Sequence, residues 1–130
     1  MRTKNENMKE QVIRCVCIRM FDANIAGEFG LEEAVFLFCL REQLQETLTL
    51  KKKQPLAGDG KELIVVNGRP WIPKTLLEFC GDFPFWTIKQ IRRIIASCKR
   101  QGAIETNTYG ASPLDRRLWY TLKGGSVDEW

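Results

Sequence analysis

Histidine is absent from all 130 residues. That absence removes the imidazole general base, the Ser-His-Asp and Cys-His nucleophile pairs, and the HExxH zinc site. No hydrophobic run approaches the roughly 20 residues of a membrane-spanning helix. The N-terminal stretch Met1–Asn7 is polar and lacks the apolar centre of a signal peptide. Cys-x-x-Cys pairs are also missing. The five cysteines, Cys15, Cys17, Cys39, Cys80 and Cys98, are odd in number and scattered, which suits buried thiols in a reducing compartment better than disulfides or zinc. A phosphate-binding GxxxxGK[ST] loop is lacking, since Gly58-Asp59-Gly60-Lys61 is too short for one. Close carboxylates are few: Glu32 and Glu33 are helix neighbours that point apart, and Asp59 and Glu62 fall in a polar, Gly-rich loop. The expectation is a cytoplasmic protein with no catalytic residues, no cofactor, no metal and no membrane contact.

What remains is an ordinary single-domain chain, 44% apolar and 28% charged, with a net charge of +4. The charge is unevenly placed. Thr87–Lys123 holds eight basic and two acidic residues, +6, so everything else sums to −2. Between Trp86 and Gln101 there are five basic residues and no acidic one, unlike the mixed signs of a surface helix laced with ion pairs.

Residues 1–10 read as a flexible tail, 11–123 as one domain and 124–130 as a C-terminal tail. Gln11–Phe21 is apolar but too short for periodicity to decide between strand and helix. From Leu31 to about Thr49 the spacing of Leu31, Ala34, Val35, Phe38, Leu44 and Leu48 predicts a core helix, widened by Leu37, Cys39 and Leu40. Glu32 and Glu33 suit the positive end of its dipole. A loop spans 50–62. Leu63–Ile72 reads as a hairpin turning at Asn67-Gly68, with Pro70 marking the return strand as an edge. Thr75 and Glu78 form a capping box that opens a short helix to about Cys80. Residues 81–86 break it. Thr87 and Gln90 repeat the capping logic and start a second helix, which runs to Gln101 and ends at Gly102. Ile88, Ile91, Ile95 and Cys98 form its apolar stripe, with Ile94 beside them; Lys89, Gln90, Arg92, Arg93, Ser97, Lys99 and Arg100 lie opposite. Ala103–Tyr109 and Arg116–Leu122 complete the pattern as two strands around a turn at 110–113.

Two short helices followed by a hairpin is the order of a winged helix-turn-helix, an α+β fold that is mainly helical with a small sheet. In such a fold one helix enters the major groove and basic side chains neutralise phosphates. Arginine can bind guanine at two atoms, and glutamine adenine. Lys89, Gln90 and Arg93 are therefore expected in the groove, and Arg92, Lys99, Arg100, Arg116 and Arg117 on phosphates. Phe83, Phe85, Trp86, Trp119 and Tyr120 are read as core rather than as base-stacking residues.

Asp82–Arg93, Lys99–Ile104 and Asp115–Tyr120 together resemble the winged-helix domain of phage and mobile-element replication proteins. In that family an "FPFWS…TIKR…L…GLL" stretch precedes a wing ending in "D…KWY". Gly30–Val35 resembles its first helix and Gly68–Ile72 its "DGR-W-V" strand, so the likeness spans about 28–122. The 50–62 loop and Pro70 depart from the pattern. The resemblance implies a phage or mobile-element protein that binds double-stranded DNA in replication or transcriptional control, with 87–101 as recognition helix and 109–117 as wing. The alternative is a protein-interaction module, a phage-encoded winged helix that binds and inhibits a host enzyme or defence complex. A homodimer, through helix 31–49 or the N-terminal segment, stays open.

Overall fold

The computed structural model describes residues 18–53, 63–66, 68–109 and 117–123. Asp22 starts the first helix, α1 (Ala23–Phe29), its carboxylate accepting hydrogen bonds from the amides of Asn24 (2.8 Å) and Ile25 (3.2 Å). Gly30, at φ +110°, turns the chain directly into α2 (Leu31–Lys53). This helix includes Lys51, Lys52 and Lys53, which the sequence reading placed in a loop. Nothing between Gly30 and Pro55 breaks a helix, and lysine is a good helix former.

The buried face of α2 also differs from expectation. Of the predicted stripe only Ala34 and Leu44 are buried, and Leu31 is 56% exposed. Leu37, Cys39 and Leu40, expected only to widen the stripe, face the core beside it, together with Phe36. Residues 34–40 are apolar without interruption, so period alone selects no side of the helix; the elements packed on it do.

Two strands follow, β1 (Ile64–Val66) and β2 (Arg69–Lys74), paired antiparallel with Val66 opposite Arg69. Gly68 has φ +80°, as the predicted tight turn requires; Asn67 lies outside the described residues. After the helices described next come β3 (Ile104–Asn107) and β4 (Leu118–Leu122), and the sheet order is β1-β2-β4-β3, antiparallel throughout. Hence β2 is an interior strand, and the edge assignment made from Pro70 is corrected. The two ladders divide it: residues 69–71 pair with β1 and 72–74 with β4. The Pro70 carbonyl points toward β4, where it accepts from Thr121 Oγ1 at 2.7 Å. The amide hydrogen that proline lacks would lie on that same side, before the β4 ladder begins.

Between β2 and β3 lie α3 (Leu76–Asp82) and α4 (Ile88–Arg100). Both capping boxes form. Glu78 N to Thr75 Oγ1 and Thr75 N to Glu78 Oε1 are each 3.1 Å, and Gln90 N to Thr87 Oγ1 and Thr87 N to Gln90 Oε1 are 3.1 and 2.8 Å. At the far end of α4, Gly102 takes φ +78°. Its amide bonds the Lys99 carbonyl (3.1 Å) and that of Ala103 the Cys98 carbonyl (2.9 Å), the paired bonds of a Schellman stop.

One core joins these parts. Phe36 meets Phe79 and Phe83 at ring separations of 5.2 and 5.9 Å, and Phe79 meets Tyr120 edge-on at 5.2 Å. Ile91, Ile94, Ile95 and Cys98 close it from α4, and Ile72, Ile104 and Leu122 from the sheet. A polar cluster fixes the end of α3: Lys74 Nζ is 2.6 Å from Asp82 Oδ2 and donates to Gln43 Oε1, while Arg19 Nε donates to the Asp82 carbonyl at 2.7 Å. The described residues thus form an α+β fold of four helices and a four-stranded antiparallel sheet. No helix among them is long and apolar enough to cross a membrane.

Candidate nucleic-acid interface

Helix α4 sorts its residues by side. Ile91, Ile94, Ile95 and Cys98 are buried, and Lys89, Arg92, Arg93, Lys99 and Arg100 are exposed. Three- and four-residue steps put Lys89, Arg93, Ala96 and Arg100 on one line down the exposed side, flanked by Arg92 and Lys99. Ala96 keeps the middle of that line low. Lys89 and Arg93 thus stand on the outer face as expected. Arg100 shares their line rather than a flank.

Gln90 is placed differently from a base-reading residue. Its Oε1 accepts the Thr87 amide in the capping box, and the residue is half-buried. Two-point contact with adenine uses both the oxygen and the nitrogen of the amide. Capping and adenine reading therefore compete for the same oxygen.

Arg93 is engaged as well. Its Nη2 donates to both carboxylate oxygens of Glu32, at 3.0 and 3.1 Å. One residue along, Glu33 Oε2 accepts from Ser97 Oγ at 2.6 Å, and Gln101 Nε2 donates to the Ser97 hydroxyl and to the Phe29 carbonyl. Ser97, expected on the solvent side, is buried by this contact. The two acidic residues at the start of α2 therefore grip α4 side-on, besides complementing their own helix dipole. No local signal exposes that role, because the partners lie 61 and 64 residues apart.

The hairpin end of the site is only partly described. Arg116 and the 110–113 turn lie outside the described residues, and Arg117 is half-buried just before β4. Two further basic residues, absent from the sequence expectation, stand near Lys99. Arg69, Lys99 and Lys123 line a concavity of about 510 Å³ with Trp71, Glu105 and Tyr109. Glu105 is 3.0 Å from Arg69 and 3.7 Å from Lys123, so much of that charge is balanced internally. Among the described residues the buried indole nitrogens of Trp71 and Trp119 find no hydrogen-bond partner, while Tyr109 packs edge-on against both rings.

Of the aromatic residues read as core, Phe83, Trp119 and Tyr120 are buried and Trp86 is half-buried against Phe83. Phe85 is the exception at 58% exposed, in the turn that leads into α4. Cys39 and Cys98 are buried, and burial pushes their thiols up to about 11 and about 12. Neither is a ready nucleophile, because the thiolate is the reactive form. Cys15, Cys17, Asp59 and Glu62 lie outside the described residues. Among the described residues no three His, Cys, Asp or Glu side chains gather to hold a metal. Compared with family models, curated proteins and solved structures, the chain matches none.

Proposed function

We propose that this protein is a non-enzymatic, double-stranded-DNA-binding winged-helix protein of a phage or mobile element, acting in replication or transcriptional control. One observation carries the reading: every charged residue of α4 is basic, and all five are exposed on the side opposite its buried isoleucines. Support comes from the order of elements, two helices, two strands, two capped helices and a two-stranded return, with β4 seated between β2 and β3. On this reading α4 enters the major groove with Lys89, Arg93 and Arg100 toward the bases. Arg92 and Lys99 meet flanking phosphates, and the β3–β4 hairpin, with Arg116 and Arg117, lies along the backbone.

The test is duplex affinity against salt. Four or five phosphate contacts give a log–log slope of roughly −4, and Arg92→Ala with Arg93→Ala weakens binding by about tenfold or more. A slope near zero, or an unchanged affinity, refutes the reading. Selection from random duplexes then reports whether a sequence is preferred.

A second reading has its own observation. Phe85, Ile88 and Leu77 are exposed apolar residues on α3, the turn and the first turn of α4. Such a surface beside a basic face suits a protein partner, as in an inhibitor of a host enzyme or defence complex. A stoichiometric partner retained from nuclease-treated lysate, and lost with Phe85→Ser, favours this module over DNA binding.

A further inference from the structure

We propose that Glu32 is an intramolecular competitor for Arg93, holding a groove-facing arginine until nucleic acid displaces it. The inference rests on the DNA-binding reading of α4 and concerns how that surface is restrained. Arg93 is the central cation of the Lys89–Arg93–Arg100 line. Among the described residues Lys89 and Arg100 form no ion pair, whereas Arg93 is held by Glu32.

A guanidinium presents two forks of paired donors, Nε with Nη2 and Nη1 with Nη2, and Nη2 belongs to both. Two-point recognition of guanine O6 and N7 uses one such fork. In this protein Nη2 donates to both Glu32 oxygens, at 3.0 and 3.1 Å. The two oxygens of one carboxylate lie close together on one side of Nη2, so a single N–H serves both and the fork that uses the other N–H stays open. What Glu32 takes from Arg93 is its unopposed charge: a phosphate or base edge meets a guanidinium that already has an anion beside it.

The carboxylate is held where it competes. Glu33, the next residue, is anchored to Ser97 Oγ at 2.6 Å, one turn along α4 from Arg93. Gly30, at φ +110°, and the start of α2 set this register. The pair is also weak enough to displace, with side-chain exposures of 58% for Arg93 and 37% for Glu32. Any phosphate approaching Arg93 must first compete with a resident anion. The cost falls on every sequence alike, so Glu32 lowers affinity for any duplex and leaves the ratio between sequences unchanged.

The experiment measures binding of a random-sequence duplex by fluorescence anisotropy, from about 50 to about 200 mM salt. The proteins are wild type, Glu32→Gln, Glu32→Asp, Arg93→Gln and the Glu32→Gln/Arg93→Gln double variant. Glu32→Gln is expected to tighten binding roughly two- to fivefold and to steepen the salt slope by about 0.9, one phosphate contact. Glu32→Asp keeps the charge but shortens the arm, and is expected to give most of the same gain. Both effects vanish when Arg93 is glutamine. An equal gain in the Arg93→Gln background, or a gain with Gln and none with Asp, overturns the proposal in favour of a general charge effect. An unchanged affinity for both Glu32 variants overturns it while leaving the DNA-binding reading intact. If wild type shows no salt-dependent binding, the reading itself fails, and the proposal with it.

Discussion

Two phenylalanines flank Pro84, and the fold treats them oppositely. Phe83 is buried against Phe36 and Trp86, so Phe83→Ala removes a ring from a closed core and is expected to cost about 3–5 kcal/mol. Phe85→Ala is expected to cost under about 1 kcal/mol, because most of that ring is already in water. Chemical denaturation of the two variants checks the contrast. Thr87→Ala removes one half of a formed capping box and is expected to lose about 1 kcal/mol. At this scale the caps are legible in the sequence, because their partners sit three residues apart. The sorting of Phe83 from Phe85 is not, because both are equally apolar and only the neighbouring helices distinguish them.

Among the elements, α4 is the most legible and β2 the least. Helix α4 announces its start, its stop and most of its buried side through residues in or beside it, with exposed Ile88 and buried Ser97 as the exceptions. Gly102 ends it at φ +78°, so Gly102→Ala is expected to cost about 1 kcal/mol through left-handed strain, read as a lower melting temperature. Replacing Arg92 and Lys99 together with alanine is expected to flatten the salt slope of DNA binding by about 1.8, two phosphate contacts. An unchanged slope places the phosphates elsewhere. Pro70 argues for an edge strand on local grounds. The structure instead gives β2 two neighbours in succession, each along half its length. Which residues have a second strand beside them is a property of the sheet, and β4, one of the two neighbours, begins 44 residues after β2 ends. The buried side of α2 was hidden for a similar reason, since a continuous apolar run fits several faces equally.

For the molecule as a whole, the core determines how stability responds to pH. Burial raises the Cys39 and Cys98 thiols from 9.0 to about 11 and about 12. Burial raises the Tyr120 phenol too. The unfolded chain releases the thiol protons from about pH 9 upward, while the folded chain keeps them. Their contribution is intact below that value and is lost as pH climbs toward 11 and 12. Denaturant midpoints are expected to hold near neutral pH and fall through the alkaline range, less steeply in a Cys39→Ala/Cys98→Ala variant. Equal slopes for both proteins contradict this assignment. Helix α1, which buries no residue fully, is expected to exchange its amide hydrogens well before α4.

The absence of histidine excludes imidazole chemistry before any coordinate is known, and the +6 gathered after Trp86 locates the basic surface. The sequence alone also determines the two capped helices, the Asn-Gly hairpin and the glycine stop, since each depends on residues at most a few positions apart. Tertiary structure decided the rest. It chose the buried side of α2, made β2 an interior strand, and set Glu32 against Arg93 and Glu33 against Ser97. Each of these depends on which distant element arrives as a neighbour, and a hydrogen bond across 61 residues leaves no period or spacing to read.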